Sequence, residues 1–284
     1  MSRERRLCDA SRLHPPRPVS PGCERPTALW ARAPGCGHRV PSEPTGWPPH
    51  RFTPCTDRWR TPLADGQSAT AQPADTLTRC YLVRHCDVEN PRRVIYGHLP
   101  GFGLSTRGIA QAQSLGRFFR TTPVRIILAS PLQRAQETAR IIQSHLQDVP
   151  IVTTDDLVEA EFGRYLQGVA QTQIVWRRPL WWIHLAWPGI LPGDESMAAM
   201  ANRAQRALDH LIDVAPGAGG LCISHGDPIQ AFWANSDRRP PWALHRLQCA
   251  KGGLLTLDYM GHRLVEKQYR SPEEIARLAE TDPA

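Results

Sequence analysis

The chain has 284 residues, 41% of them hydrophobic, and a formal net charge of +7 at pH 7. This length accommodates one large domain or two small ones. No apolar run approaches the roughly 20 residues of a membrane-spanning helix, and the N-terminus lacks the apolar core of a secretory signal. We therefore expect a cytoplasmic protein without stable membrane insertion.

The first quarter of the chain has an unusual composition. Residues 1–78 contain 13 of the 27 prolines and show no sustained apolar period. Such a segment cannot bury enough apolar surface to offset its ordering entropy, so we interpret it as a disordered Pro/Arg-rich arm or as upstream translation. Its 11 Arg and 7 acidic residues give this segment a net charge of +4. They form no basic cluster interleaved with aromatics, so we expect no nucleic-acid partner.

The chain contains eight cysteines, and none of them forms a C-x-x-C pair. The spacing typical of zinc ligands or of a redox pair is therefore absent. Free thiols in a reducing compartment fit this pattern best.

Regular elements begin after residue 78. Ser105 is a plausible N-cap for a helix in which Ile109, Ala112, Leu115 and Phe119 share helical spacing. The other predicted elements of this half are the strand "RCYLVRH", the buried strand "VRIILAS", the helix "LQRAQETARIIQSHL" and the extended run "IVTTDDL".

The second half continues the alternation. A long helix, "MAAMANRAQRALDHLIDVA", stops at Pro216, the strand "GGLCISH" follows, and a terminal hairpin turns at Gly261. Strands alternating with helices predict an α/β fold with a largely parallel sheet. Sites in such sheets gather at the carboxyl ends of the strands.

Basic side chains stand at three of these strand ends. Arg84 and His85 close the first strand, Arg134 stands four residues after the second, and His225 closes a later one. Arginines grip phosphate oxygens through paired charge-assisted hydrogen bonds. A histidine beside an arginine tends to stay neutral and keep the lone pair that a nucleophile needs.

The motifs "LVRHCDVEN", "LSTRGIAQA", "ASPLQRAQETA", "LVEAEFGRYLQG", "PGDESM" and "ISHGDPI" occur in this order. Together they resemble the histidine phosphatase superfamily, with its phosphoglycerate mutase-like fold, over residues 79–270. The resemblance implies a three-layer α/β/α sandwich with a central, mostly parallel sheet. It also implies phosphoryl transfer through a phosphohistidine, with no cofactor and no metal.

The resemblance assigns a role to particular residues. It makes His85 the phosphorylated nucleophile, Arg84 and Arg134 its phosphate ligands, His225 the second pocket histidine, and Glu159 the acid that protonates the leaving oxygen. Glu161 is the alternative acid, since it would face the same way in an extended segment.

The sequence departs from the family pattern near the nucleophile. Asn90 matches the pocket asparagine but stands one residue early, and Gly97 is displaced equally, so one deletion explains both. Cys86 occupies a position where the family commonly has glycine. A thiol beside the nucleophile raises the hypothesis that the enzyme is sensitive to oxidation.

A Trp-rich segment, residues 169–192, contains Trp176, Trp181, Trp182 and Trp187. We interpret it as an inserted cap, with a substrate wall or shallow membrane contact as alternatives. Residues 271–284 are expected to form a C-terminal tail.

The segment is shorter than in mutases and lacks a lysine expected soon after "LQG". A phosphatase acting on a small phosphorylated metabolite is therefore favoured over a phosphoglycerate mutase. A catalytically inactive phosphate-binding module is disfavoured, because all four basic pocket residues are present.

Overall fold

The computed structural model describes residues 76–161, 163–187, 189–190 and 193–281. The first strand begins at Leu77, so the last residues that we assigned to the N-terminal arm already belong to the folded domain. The rest of that arm, with Cys8, Cys23, Cys36 and Cys55, lies outside the described residues.

The described residues form a six-stranded mixed sheet in the order β3-β2-β4-β1-β5-β6. The first four strands in this order are parallel, whereas β5 and β6 run antiparallel to their neighbours. The strands are β1 (Leu77–Arg84), β2 (Ile127–Ala129), β3 (Ile151–Thr153), β4 (Gly220–Ser224), β5 (Leu254–Met260) and β6 (Arg263–Arg270).

Helices connect and cover the strands. They are α1 (Thr106–Phe119), α2 (Gln133–Gln143), α3 (Gly163–Leu166), α4 (Ile174–Arg177), α5 (Trp181–Ala186), α6 (Met197–Val214), α7 (Gly226–Ser236) and α8 (Pro272–Thr281). None of the helices in the described part of the chain has the length and apolar character that crossing a membrane requires.

Side chains alternate between the two faces of the sheet. On β1, Val83 packs into the core layer under α1, α2 and α8, whereas Leu82 packs into the layer under α6 and α7. Both are fully buried, as expected for a strand covered on both faces. The predicted three-layer α/β/α sandwich is thereby confirmed.

Capping and turn residues explain where several helices and strands begin or end. Ser105 is the N-cap of α1, and its side chain accepts a hydrogen bond from the Gly108 backbone N–H. Gly261, at a φ of 55°, lies in the predicted turn between β5 and β6. Ile109 does not join the buried face of α1, since 43% of its surface is exposed.

The C-terminal region differs from the expected tail. Residues 272–281 form α8, and Ile275 from this helix is buried in the core with α1 and α2. Its sequence, "PEEIARLAET", has helical spacing of apolar residues, and the Ser271 side chain accepts from the Glu274 backbone N–H. Apolar burial and this cap together explain why the fold continues beyond residue 270.

Candidate active site

His85 follows β1 directly and is held by two contacts. Its backbone N–H donates to the carbonyl of Ser224 on the adjacent strand β4, at 2.9 Å. Its ring Nδ1 lies 2.8 Å from the carbonyl oxygen of Cys86. A carbonyl can only accept, so the proton of the neutral ring is on Nδ1. The Nε2 lone pair is therefore free.

His225 follows β4 and faces His85. The two ring centroids are 5.1 Å apart. The Nε2 atom of His225 lies 2.8 Å from the Ser130 hydroxyl, which also accepts from the Leu132 backbone N–H. When the Ser130 hydroxyl donates this hydrogen bond, Nε2 of His225 is the acceptor, and the proton of the neutral ring is on Nδ1. Nδ1–H then remains as a donor without a partner.

Two guanidinium groups border the imidazoles. Arg84 donates to the carbonyl of Cys249, and Arg134 donates to that of Gly97 at 2.9 Å. Arg134 is almost fully buried. A Cβ at Gly226 would lie 3.0 Å from the Arg84 guanidinium carbon, so glycine in "SHG" gives this side chain its room.

Five buried side-chain nitrogen and oxygen atoms lack a hydrogen-bond partner within the described ranges. Four of them belong to this cluster: Arg84 Nε, His85 Nε2, Arg134 Nε and His225 Nδ1. Leaving a buried donor or acceptor unpaired costs about 1–3 kcal/mol. Their concentration at one place indicates a site that binds a polar ligand.

Both imidazoles are held in the neutral form. Burial, followed by the charge of Arg134, lowers the pKa of His85 and that of His225 well below the usual value. A cation beside a buried imidazole disfavours a second positive charge. At neutral pH the cluster thus contains two positive guanidinium groups and two uncharged rings.

Glu159 lies beside His225. Its Oε2 is 3.8 Å from Nδ1 of His225, and its Oε1 accepts from the Ala160 backbone N–H at 3.1 Å. Burial, and next the charge of Asp227, raise the pKa of this carboxyl to about 7. A group that is partly protonated at neutral pH is suited to donate and to take back a proton.

A buried ion pair fixes the loop that carries Glu159. Arg203 on α6 donates to the carbonyl oxygens of Asp156 and Val158, and it forms a two-pronged pair with Glu195 at 2.7 and 2.9 Å. The backbone N–H of Glu195 donates to the Glu161 carbonyl. Contacts on both sides of Glu159 therefore hold its position. We call this pair the Arg203–Glu195 clamp.

The sequence interpretation assigned no role to two further neighbours of the cluster, Tyr96 and Ser130. The ring of Tyr96 lies 4.7 Å from the Arg134 guanidinium carbon and 6.4 Å from the His85 ring. Ser130 contacts His225 as described above. Its place at the end of β2 was a usable signal, whereas nothing in the sequence pattern marked Tyr96.

The remaining predicted residues are placed differently. The side-chain amide of Asn90 makes both of its hydrogen bonds to the backbone of Val94, at 2.9 and 3.1 Å, and closes a turn. Its role in the pocket stays a prediction. Glu161 is exposed whereas Glu159 and Ala160 are both buried, so this stretch does not alternate as an extended strand would.

Cys86 is fully buried, and burial raises the pKa of its thiol to about 12. Oxidants attack the thiolate, so this environment opposes the redox hypothesis. Cys80, Cys222 and Cys249 are also free and buried.

The charges around the two histidines favour the binding of an anion over that of a metal ion. His85, Glu159 and His225 each offer one ligand atom, and these atoms lie within 4.8 Å of one another, which is close enough to hold a metal ion. Arg84 and Arg134 place two positive charges around the same space, and like charges repel a cation there. The same guanidinium groups suit the oxygens of a phosphate.

Comparison with known sequences identifies the class of protein that this fold and site define. Residues 80–271 match the family model of the histidine phosphatase superfamily (branch 1). The chain belongs to this superfamily.

The relatives include an uncharacterised protein and a probable phosphoglycerate mutase. An uncharacterised protein of Mycobacterium tuberculosis, Rv0525, is 33% identical over 198 residues, which is 69% of this chain and 96% of the relative. The probable phosphoglycerate mutase GpmB of Salmonella choleraesuis is 28% identical and covers 64% of this chain and 86% of its own.

A solved structure shows the same fold. Phosphoserine phosphatase of Entamoeba histolytica, in complex with 3-phosphoglyceric acid, aligns with a TM-score of 0.59 at 22% identity. It covers 70% of this chain and 99% of its own.

Proposed function

We propose that the protein is a phosphomonoester hydrolase that works through a phosphohistidine formed on His85. One observation carries the proposal: four buried nitrogen atoms, one each from Arg84, His85, Arg134 and His225, lack partners and belong to one cluster of neighbouring side chains. Three of them can donate to phosphoryl oxygens, and the fourth, Nε2 of His85, can attack phosphorus. Phosphoryl transfer depends on positioning and charge neutralisation, which this set supplies.

The first step transfers the phosphoryl group to the enzyme. The Nε2 lone pair of His85 attacks phosphorus, a P–N bond forms, and the P–O bond to the alcohol breaks. The departing oxygen takes the proton of the Glu159 carboxyl, and the alcohol leaves. Arg84, Arg134 and His225 hold the three remaining phosphoryl oxygens through this step.

The second step releases phosphate. The Glu159 carboxylate removes a proton from water, and the water oxygen attacks phosphorus as the P–N bond breaks. The lone pair returns to Nε2 of His85, and Glu159 is protonated again for the next cycle. A pKa of about 7 places Glu159 near the midpoint between its two roles at neutral pH.

The substrate is proposed to be a small phosphorylated metabolite. Support comes from fold neighbours named as a phosphoserine phosphatase and as a mycobacterial glucosyl-3-phosphoglycerate phosphatase. The relatives named probable phosphoglycerate mutases support a second candidate, phosphoryl transfer between positions of phosphoglycerate. The short segment after "LQG" favours hydrolysis.

Turnover assays separate these functions. The wild type should hydrolyse p-nitrophenyl phosphate, and His85→Ala should lose at least about four orders of magnitude in kcat, because the nucleophile is gone. His262→Ala removes a half-exposed ring that pairs with Asp209 and Asp213, and as the histidine control it should keep full activity. Full hydrolysis by His85→Ala would contradict the proposal.

A second assay supplies 3-phosphoglycerate with 2,3-bisphosphoglycerate. Release of inorganic phosphate without isomerised product supports the hydrolase. Rapid isomerisation with little phosphate release would replace it with the mutase.

A further inference from the structure

Exposed apolar side chains are concentrated in the Trp-rich segment. Within the described residues, twelve large apolar side chains are exposed, and six of these lie between positions 175 and 190. Isolated exposed apolar residues are ordinary, whereas a cluster of them marks an interaction site. We call the six side chains the tryptophan surface: Val175, Trp176, Leu180, Trp182, Trp187 and Ile190.

These side chains are far from buried. Trp176 is 87% exposed, and Trp182 and Trp187 are 57% and 55% exposed. Trp176 lies in α4 and Trp182 in α5, which are only four and six residues long, and Trp187 follows α5 directly. The surface is therefore available to something outside the chain.

The charge pattern of this region selects the kind of partner. Residues 162–193 contain no Asp or Glu, although the average of 27 acids in 284 residues would give about three. They contain Arg164, Arg177 and Arg178, and Arg177 is exposed. Arg178 is held against Tyr165 by a contact over the ring and by a bond to its carbonyl. The surface is thus apolar and cationic.

We propose that the tryptophan surface docks onto an anionic lipid bilayer. Tryptophan is enriched at membrane–water interfaces, where its ring is apolar and its N–H remains hydrated. Arginine beside it attracts the phosphates of anionic headgroups. Helices of four and six residues cannot span a bilayer, which takes about 20 residues, so the contact is peripheral and lies in the interface.

A second copy of the chain fits this surface less well. A symmetric contact brings the same patch of both copies together. Residues 162–193 would then place arginines opposite arginines, with no acidic residue of that region to pair with them. A bilayer that contains anionic lipid supplies the missing negative charge.

The start of the Trp-rich segment is linked to the proposed phosphate pocket, which Arg84, His85, Arg134 and His225 form. The backbone of Val169 accepts from Ile95 N–H at 2.9 Å, and Gly168 donates to the Ile95 carbonyl at 2.7 Å. The next residue, Tyr96, packs against Arg134.

Vesicle co-sedimentation of the full chain tests the proposal. The wild type should bind vesicles of phosphatidylglycerol and phosphatidylcholine in equal parts, and bind phosphatidylcholine alone more weakly. Binding should weaken at high salt. Replacing Trp176, Trp182 and Trp187 by Ser should weaken it at least about tenfold, and Arg177→Gln about fivefold.

A matched variant controls for general loss of apolar surface. Ile109, Val265 and Leu278 are 41–44% exposed outside the Trp-rich segment. Their combined replacement by Ser should leave vesicle binding unchanged. Far-UV circular dichroism checks that both triple variants fold. If the tryptophan variant does not fold, Arg177→Gln still tests whether the tryptophan surface binds the vesicles.

Three results would overturn the proposal. The wild type could fail to bind the anionic vesicles, or the tryptophan variant could bind as tightly as the wild type, which would point to the basic arm at residues 1–78. Lipid-free sedimentation velocity could also show a dimer that the tryptophan replacements dissociate, which would make the surface an interface between copies.

Discussion

The phosphate pocket and the Trp-rich segment each reverse the usual division between interior and surface. In the pocket, His85, Arg134 and His225 are polar or charged and are almost fully buried. In the segment, Trp176 and Trp182 are apolar and mostly exposed. Both patterns are uncommon in folded proteins, and each marks a place where the chain is adapted to something other than its own stability.

The two regions differ in whether contacts within the fold support the unusual burial or exposure of their side chains. Each pocket residue has at least one hydrogen bond within the fold, from Cys86, Ser130, Gly97 or Cys249, and the Arg203–Glu195 clamp fixes the loop of Glu159. The exposed tryptophans have no such support among the described contacts. A preorganised pocket can work alone, whereas the segment needs an external surface.

After removal of the nucleophile itself, the largest effect is expected from the pocket arginine. Arg134→Ala should lower kcat/KM for p-nitrophenyl phosphate by about 10³-fold, because a guanidinium that neutralises developing phosphoryl charge is removed. Arg134→Lys keeps the charge but not the planar fork, so most of the loss should remain. Arg140→Ala, on the exposed side of the same helix, should be silent, and an equal loss in both variants would contradict the account.

The Arg203–Glu195 clamp should contribute strongly to stability. Arg203→Ala leaves a nearly buried carboxylate unpaired and should lower the free energy of unfolding by about 3–5 kcal/mol. Arg206→Ala is the control, because Arg206 also contacts Asp156 but is 62% exposed, and it should cost under about 1 kcal/mol. Urea denaturation measures both. Similar losses in the two variants would show that the clamp has no special role.

Glu159→Gln should reduce kcat by about 10² for alkyl phosphates, whose leaving oxygen needs a proton, and by less for p-nitrophenyl phosphate. With a pKa of about 7, Glu159 loses its proton as pH rises, so wild-type activity should fall above pH 7. The Glu159→Gln variant should not show this loss of activity above pH 7. Glu161→Gln, at an exposed carboxylate, should behave as the wild type.

The same pKa predicts a stability trend. A carboxyl whose pKa is raised in the folded state favours folding in its protonated form. Relative to Glu159→Gln, the wild type should be most stable below pH 4.5 and lose that advantage as pH rises to about 7. A difference that does not change with pH would place the carboxyl in a solvated environment.

The smallest effect should come from the exposed segment. Trp176→Ser should change the free energy of unfolding by under about 0.5 kcal/mol, although tryptophan is the largest side chain. Phe119→Ala, at a fully buried aromatic, should cost about 3–5 kcal/mol. A large loss at Trp176 would mean that the segment packs on the domain as a cap.

Strand periodicity made the core of the site predictable. His85 and His225 each follow a buried strand, so the sequence alone placed both at the same edge of the sheet. That β1 and β4 are parallel neighbours, which brings the two rings together, was shown by the structure. Glu159 was identified only by family resemblance, because it lies in an irregular stretch between a 3₁₀ turn and α3. A position in an irregular stretch has no helical or strand periodicity by which the sequence could identify it.

Contacts between distant residues could not be predicted. Ser130 and His225 are 95 residues apart, and Arg203 reaches Val158 across 45. Which polar side chains meet depends on how helices pack on the sheet, and the hydrophobic pattern does not encode that. The helix α8 was missed for another reason: its ten residues have helical spacing, but they were interpreted as a tail.

The central claim is that His85 carries the phosphoryl group. Acid-sensitive phosphohistidine should form when the wild type meets ³²P-labelled substrate and is quenched in alkali during turnover. Peptide mapping by mass spectrometry should place the phosphoryl group on His85, and the label should be absent from His85→Ala but present in Glu159→Gln. Label on another residue, or none during rapid hydrolysis, would contradict the account.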